Sequence, residues 1–175
     1  IEIWLKVGLK DESVETLIDT AAIGYCFGGV AVLEAVRAGL DLGGVVSFHG
    51  LLQTGEDPNP AQFGVLRPLV KYCENHYNRK TVVLIENGAN DELVPDKSKE
   101  RFFIEMDEAG VDWVFHHHAR TPHGFALPPS LGPPGKLYEP ADRRSTQNML
   151  GLFREIFPAV PQNPVSQNAA GTLIP

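Results

Sequence analysis

Three side chains that can cooperate in nucleophilic catalysis each follow a predicted strand: Cys26, Asp91 and His123. A thiol can attack a carbonyl carbon, an imidazole can carry the proton, and a carboxylate can hold that imidazole in one tautomer. Because the carboxyl ends of parallel strands open into one crevice, residues distant in sequence can converge there. The three positions therefore predict a site for thiol-dependent acyl transfer.

The surroundings of Cys26 predict a tight turn between a strand and a helix. Gly24 and Gly28 lie two residues before and two residues after the thiol, where larger side chains would collide in such a turn. We expect Cys26 to adopt a strained backbone conformation, with its sulfur over the N-terminus of the next helix, where the helix dipole favours the thiolate. The same geometry aims the backbone N–H of Phe27 at a developing oxyanion.

The acid and the base lie in loops that follow later predicted strands. Asp91 is in the run GANDELVP, and a carboxylate there can accept the N–H of an imidazole. His123 is in the run TPHGF, a loop that can bring its ring toward both partners. Nucleophile, acid and base in this chain order are typical of the α/β-hydrolase triad.

The hydrophobic pattern after residue 20 alternates short apolar runs with amphipathic stretches, which predicts a parallel sheet with crossover helices. Apolar runs ended by turn-forming residues predict strands at residues 20–25, 45–49, 81–86 and 111–117. Amphipathic spacing predicts helices at residues 28–38, 63–77, 96–108 and 137–157. Prolines predict a loop at residues 122–134, and the lack of a periodic apolar face predicts a loosely held tail at residues 159–175. Residues 1–158 are predicted to form one domain.

On these motifs the sequence resembles the dienelactone hydrolases over residues 20–157. The matching motifs, in chain order, are GYCFGG at residues 24–29, DELVP at residues 91–95 and HGF at residues 123–125. The resemblance implies a three-layer α/β-hydrolase-like fold with a mostly parallel sheet, crossover helices and the N-terminal strands missing from this chain. It also implies that Cys26, rather than a serine, is the nucleophile.

The resemblance implies hydrolysis of a small ester or lactone through an acyl-enzyme. Cys26 would attack the carbonyl, His123 would relay the proton, and Asp91 would orient His123, after which water would release the acyl group. We expect Tyr25 and Phe125 to bind the substrate. His49 ends its strand on the same side as the triad and either lines this crevice or only terminates the strand.

Two departures from the family pattern are visible. The family holds the carboxylate of its namesake lactone with a pair of arginines, and Leu127 stands where one of them is expected. Only about 20 residues precede the strand of Cys26, whereas the fold has about four strands there. We therefore expect that strand to lie at the edge of the sheet. The family's second oxyanion donor and its thiol-activating glutamate would then lie outside this chain.

The composition argues against nucleic acid and membrane as partners of this chain. Of the 175 residues, 43% are hydrophobic and 21% are charged, which fits a soluble globular domain and neither a disordered nor a fibrous chain. A net charge of -7 provides no basic face for nucleic acid, and the apolar runs are too short to span a membrane. We expect a small-molecule substrate and, because a reactive thiol favours a reducing compartment, a cytoplasmic location.

Other interpretations of these residues stay open. The chain could be a catalytically inactive fragment or a small-molecule binding module, or it could be a thiol-based redox protein, although no second cysteine lies near Cys26 in sequence. Cys73 lies on the apolar face of a predicted helix and is expected to be structural. Of the run 116–118, only His116 and His118 can share a strand face, and no nearby acid completes a set, so we expect no metal and no cofactor.

Overall fold

The computed structural model describes residues 4–7, 20–52, 77–132 and 135–157. The five strands in these ranges are β1 (Trp4–Val7), β2 (Thr20–Tyr25), β3 (Gly44–Phe48), β4 (Val82–Asn90) and β5 (Asp112–Pro122). The α-helices are α1 (Phe27–Arg37), α2 (Asp96–Ala109) and α3 (Glu139–Ile156), and a short 3-10 helix spans Pro129–Leu131. None of the described helices is long and apolar enough to cross a membrane.

The strands form one sheet in the order β1-β2-β3-β4-β5. Strands β2 to β5 are parallel, which confirms the predicted mostly parallel sheet with crossover helices. Strand β1 pairs with β2 in the antiparallel direction. The expectation that the strand of Cys26 lies at the sheet edge is therefore wrong. A four-residue strand needs only its backbone N–H and C=O groups to extend a sheet, and it is too short to show a hydrophobic period.

The sheet separates two apolar clusters, so the fold has three layers. All residues of β3 are buried, as is typical of a parallel strand covered on both faces. Its side chains point alternately to the two faces of the sheet. The cluster under α1 and α2 contains Val32, Leu33, Val36, Val45, Val83, Ile85, Phe102 and Met106. The cluster under α3 contains Val46, Phe48, Leu84, Phe125, Ala141 and Leu152. Each Val, Leu, Ile, Phe or Met side chain of these clusters contributes about 1.5–3 kcal/mol when fully buried.

The predicted elements that fall in the described ranges agree with the structure except at their ends. Strands β4 and β5 run four and five residues beyond their predicted ends, with an irregularity in register between Gly88 and Asn90. The extension of β4 contains polar residues, so the hydrophobic pattern does not predict it, although Asn87 and the preceding Glu86 are fully buried. Nearly all of the helix predicted at residues 63–77, with Cys73, and the tail at residues 159–175 lie outside the described residues.

Candidate active site

The turn between β2 and α1 has the geometry that its glycines predict. Cys26 has φ 53° and ψ -116°, a left-handed conformation that is strained for a residue with a side chain. A Cβ on Gly24 would lie 2.0 Å from the carbonyl oxygen of Gly28, so only glycine fits. The N–H of Cys26 points to two acceptors, the carbonyl oxygen of Phe48 at 3.0 Å and Nδ1 of His49 at 3.2 Å.

The structure brings the three predicted residues together. Nε2 of His123 lies 3.3 Å from Sγ of Cys26, and Nδ1 of His123 lies 2.8 Å from Oδ2 of Asp91. The second carboxylate oxygen, Oδ1, accepts the N–H of Leu93 at 2.9 Å. The Asp91 side chain is completely buried, so its carboxylate has few ways to turn away from His123. The arrangement joins a thiol, an imidazole and a carboxylate in one continuous line of contacts.

The electrostatics of this line favour the charged forms of Cys26 and His123. The hydrogen bond with His123 is the largest effect on the Cys26 thiol, and it holds the pKa of the thiol below its ordinary value although burial acts in the opposite direction. Burial by itself lowers the pKa of His123, but the hydrogen bonds to Asp91 and Cys26 outweigh it and raise that pKa to about 9. Cys26 therefore tends toward thiolate while His123 tends toward imidazolium.

The other predicted site residues take different places around the thiol. The backbone N–H of Phe27 also lowers the pKa of Cys26, as expected for a donor directed at the sulfur, while the residue as a whole is 57% exposed. Tyr25 is half-buried and stacks on Phe48, with 4.6 Å between the ring centroids. His49 and Phe125 are fully buried, and their rings pack against each other. Substrate contact by Tyr25, His49 and Phe125 stays a prediction.

A second polar cluster beside the site escaped the sequence reasoning. The fully buried carboxylate of Glu86 accepts Nδ1–H of His116 at 2.8 Å, Nε2–H of His118 at 2.5 Å and Nδ2–H of Asn148 at 2.9 Å. The statement that no acid lies near these histidines is wrong, because β4 pairs Glu86 with His116 in register. Each histidine binds a different carboxylate oxygen. No group of three His, Cys, Asp or Glu residues in the described ranges could hold a metal ion.

Comparison with known proteins gives a consistent assignment. The sequence model described as the dienelactone hydrolase family matches residues 9–157. A dienelactone hydrolase-like promiscuous phosphotriesterase from metagenomic libraries is 32% identical, with a TM-score of 0.60 over 78% of this chain and 52% of that chain. A structure titled m3DLH is 31% identical, with a TM-score of 0.62 and the same coverage of both chains.

More distant structures share the fold. SOBER1 from Arabidopsis thaliana is 15% identical, with a TM-score of 0.54 over 83% of this chain and 56% of that chain. No curated protein matches the chain. The chain spans about half the length of these two dienelactone hydrolase-like structures. From the match of the family model over most of its length, together with the fold, the chain belongs to the dienelactone hydrolase family.

Proposed function

We propose that this chain carries the catalytic centre of a hydrolase that cleaves small esters or lactones through an acyl-enzyme on Cys26. The observation that carries the proposal is the continuous line of contacts from the Cys26 sulfur through His123 to the buried Asp91 carboxylate. Family membership supports a hydrolase, and a small-molecule substrate fits that family. A thiolate nucleophile fits a reducing compartment, for which we propose the cytoplasm.

In the acylation half of the reaction, the Cys26 thiolate attacks the carbonyl carbon and forms a tetrahedral oxyanion. The N–H of Phe27 donates to that oxyanion, a position in which a fixed donor stabilises developing charge. His123, protonated before the attack, gives its Nε2 proton to the departing alkoxide as the carbon–oxygen bond breaks. The products are a thioester on Cys26 and an alcohol, which in a lactone stays attached to the acyl group.

In the deacylation half, neutral His123 accepts a proton from water as the water oxygen attacks the thioester. The thiolate is expelled when the second tetrahedral intermediate collapses, and the carboxylic acid leaves. Asp91 acts in both halves, because its contact with Nδ1 holds the ring with Nε2 toward the sulfur and stabilises the imidazolium.

Hydrolysis of a short aryl ester, with intact-protein mass spectrometry of the trapped acyl adduct, tests the proposal. We expect the wild-type chain to hydrolyse the ester and to gain one acyl mass. Both effects should disappear in Cys26→Ala, and turnover should disappear in His123→Ala. His117→Ala is the matched control, because His117 is exposed and lies outside the line of contacts. An inert wild-type chain without adduct would instead support an inactive fragment or a binding module.

A phosphotriester is a second substrate class worth including in the same assay. A protein of known structure that is 32% identical to this chain is described as a promiscuous phosphotriesterase. The same thiolate can attack phosphorus while His123 gives its Nε2 proton to the departing aryloxide, which leaves an S-phosphoryl-enzyme; neutral His123 then accepts a proton from the water that cleaves the phosphorus–sulfur bond and restores the thiolate. Loss of nitrophenolate release in Cys26→Ala, with no loss in His117→Ala, would assign this reaction to the same site.

A further inference from the structure

His49 occupies a position directly behind the thiol and its imidazole partner. It follows β3 with φ 41°, and its N–H donates to the carbonyl oxygen of Glu86 at 2.8 Å. Its ring is fully buried, and its centroid lies 5.1 Å from that of His123 and 5.3 Å from that of Phe125. Both ring pairs are edge-on, which is a favourable arrangement for aromatic packing. His49 therefore contacts the catalytic imidazole from the protein interior.

The hydrogen bond from Cys26 defines the tautomer of this ring. Nδ1 of His49 accepts the N–H of Cys26 at 3.2 Å, so Nδ1 carries a lone pair and the proton is on Nε2. Burial and the nearby charge of His123 lower the pKa of His49 to about 3. The ring of His49 is therefore expected to be neutral in the pH range in which the protein works, where His123 is charged.

Packing stability does not explain why this position holds an imidazole. Nε2 of His49 is buried and has no hydrogen-bond partner in the described part of the chain. A buried donor without an acceptor costs about 1–3 kcal/mol, whereas an apolar ring of similar shape would fill the space without that cost. The group that an apolar ring lacks is the acceptor Nδ1, and its partner is the backbone of the nucleophile.

We propose that His49 is a positioning residue for the thiol–imidazole pair. The N–H of Cys26 donates to Nδ1 of His49 and to the carbonyl oxygen of Phe48. These two contacts fix the orientation of the peptide group before Cys26 and so help to hold the strained φ of Cys26. The neutral ring edge of His49 supports the His123 ring without placing a second positive charge beside the imidazolium. This proposal rests on the proposed function only for the identity of the reacting pair.

Two substitutions separate the acceptor from the ring. His49→Asn places Oδ1 close to where Nδ1 lies and tolerates a positive φ, so it keeps an acceptor for Cys26 without the ring. His49→Phe keeps a buried ring and removes both the acceptor and the unpaired donor. The readout is the rate of alkylation of Cys26 by iodoacetamide between pH 5 and pH 10, which requires no substrate.

We expect His49→Phe to shift the alkylation profile toward higher pH and to slow alkylation at pH 7 by about tenfold, the equivalent of one lost hydrogen bond. His49→Asn should keep a profile close to that of the wild type. A folded His49→Phe protein with the wild-type profile would overturn the proposal. Equal shifts in both variants would also overturn it, because they would assign the effect to ring packing rather than to the acceptor.

A measurement on the wild-type protein covers the case in which His49→Phe does not fold. In a spectrum with ¹⁵N-labelled histidine, we expect one ring with unprotonated Nδ1 and protonated Nε2 that does not titrate between pH 5 and pH 9, with coupling from its Nδ1 to the amide of Cys26. Absence of such a ring would contradict the proposal. If the wild type hydrolyses no ester but these results hold, the proposed function fails while the positioning role of His49 stands.

Discussion

Replacing Gly24 with alanine would test whether the turn around Cys26 depends on the close approach of β2 and α1. The added Cβ would lie 2.0 Å from the oxygen and 2.2 Å from the carbon of the Gly28 carbonyl, and 2.6 Å from the nitrogen of Gly29. All three atoms belong to the backbone of the first turn of α1, so no side chain can rotate away. Strand and helix must separate by about 1 Å or more, and Cys26 lies between them.

The expected cost of Gly24→Ala has two parts. Overpacking of this kind costs about 1–3 kcal/mol of the free energy of unfolding. A displacement of about 1 Å between a nucleophile and its base lowers catalytic rates by about 10²-fold. Urea denaturation measures the first part, and ester hydrolysis together with iodoacetamide alkylation of Cys26 measures the second.

Gly151→Ala is the matched control for this substitution. Gly151 lies in α3, and a Cβ there would meet no atom within 4 Å. Alanine should stabilise that helix by up to about 1 kcal/mol and leave the reactivity of Cys26 unchanged. The reasoning would be refuted if Gly24→Ala unfolded at the wild-type urea concentration and its thiol reacted at the wild-type rate.

Three further predictions concern the charges of the site and its neighbour. Asp91→Asn should lower kcat for an aryl ester by about 10⁴-fold with little loss of stability, because an amide stabilises the His123 imidazolium less than a carboxylate does and favours the wrong tautomer of the neutral ring in deacylation; a loss below tenfold would contradict this role. The rate of ester hydrolysis should fall at low pH as the Cys26 thiolate takes up a proton and at high pH as His123 loses its proton near pH 9, so a rate still rising at pH 10 would disprove the pairing. Glu86→Ala should lower the free energy of unfolding, measured in urea, by about 1–3 kcal/mol, because it leaves the buried donor of His118 without its acceptor, whereas Glu86→Gln should cost less. Equal stability of the two Glu86 variants would argue against a structural role for the buried carboxylate.

The parts of the site that the sequence predicts are those encoded by local constraints. Glycines two residues before and after Cys26 indicate a close backbone approach, and in the structure a Cβ on Gly24 would lie only 2.0 Å from the carbonyl oxygen of Gly28. The positions of Asp91 and His123 after strands, in the chain order of the triad, predict convergence because all parallel strands end on the same side. These inferences need the type of each element and its direction, but they do not need the pairing register.

The features that the sequence analysis missed depend on pairing that is not local. Strand β1 is too short to show a period, and its position beside β2 depends on backbone pairing with a strand distant from it in the pattern. The contact of Glu86 with His116 depends on which residue of β4 lies opposite which residue of β5. A shift of one residue would turn Glu86 to the other face of the sheet, so residue types alone cannot identify this pair.

The same register helps to explain why two buried carboxylates, Glu86 in β4 and Asp91 directly after it, have different partners. Glu86 lies in the regular part of β4 and faces α3, where the side chains of two histidines and Asn148 hydrogen-bond to it. Beyond it, the pairing with β5 changes register between Gly88 and Asn90, and a Cβ on Gly88 would lie 2.3 Å from the carbonyl oxygen of Thr121. The backbones of the two strands therefore lie close together just before Asp91 and His123. Asp91 and His123 follow directly after the ends of β4 and β5, and their carboxylate and imidazole lie within 2.8 Å of each other, so parallel strands that end side by side place the orienting group next to the ring that it orients.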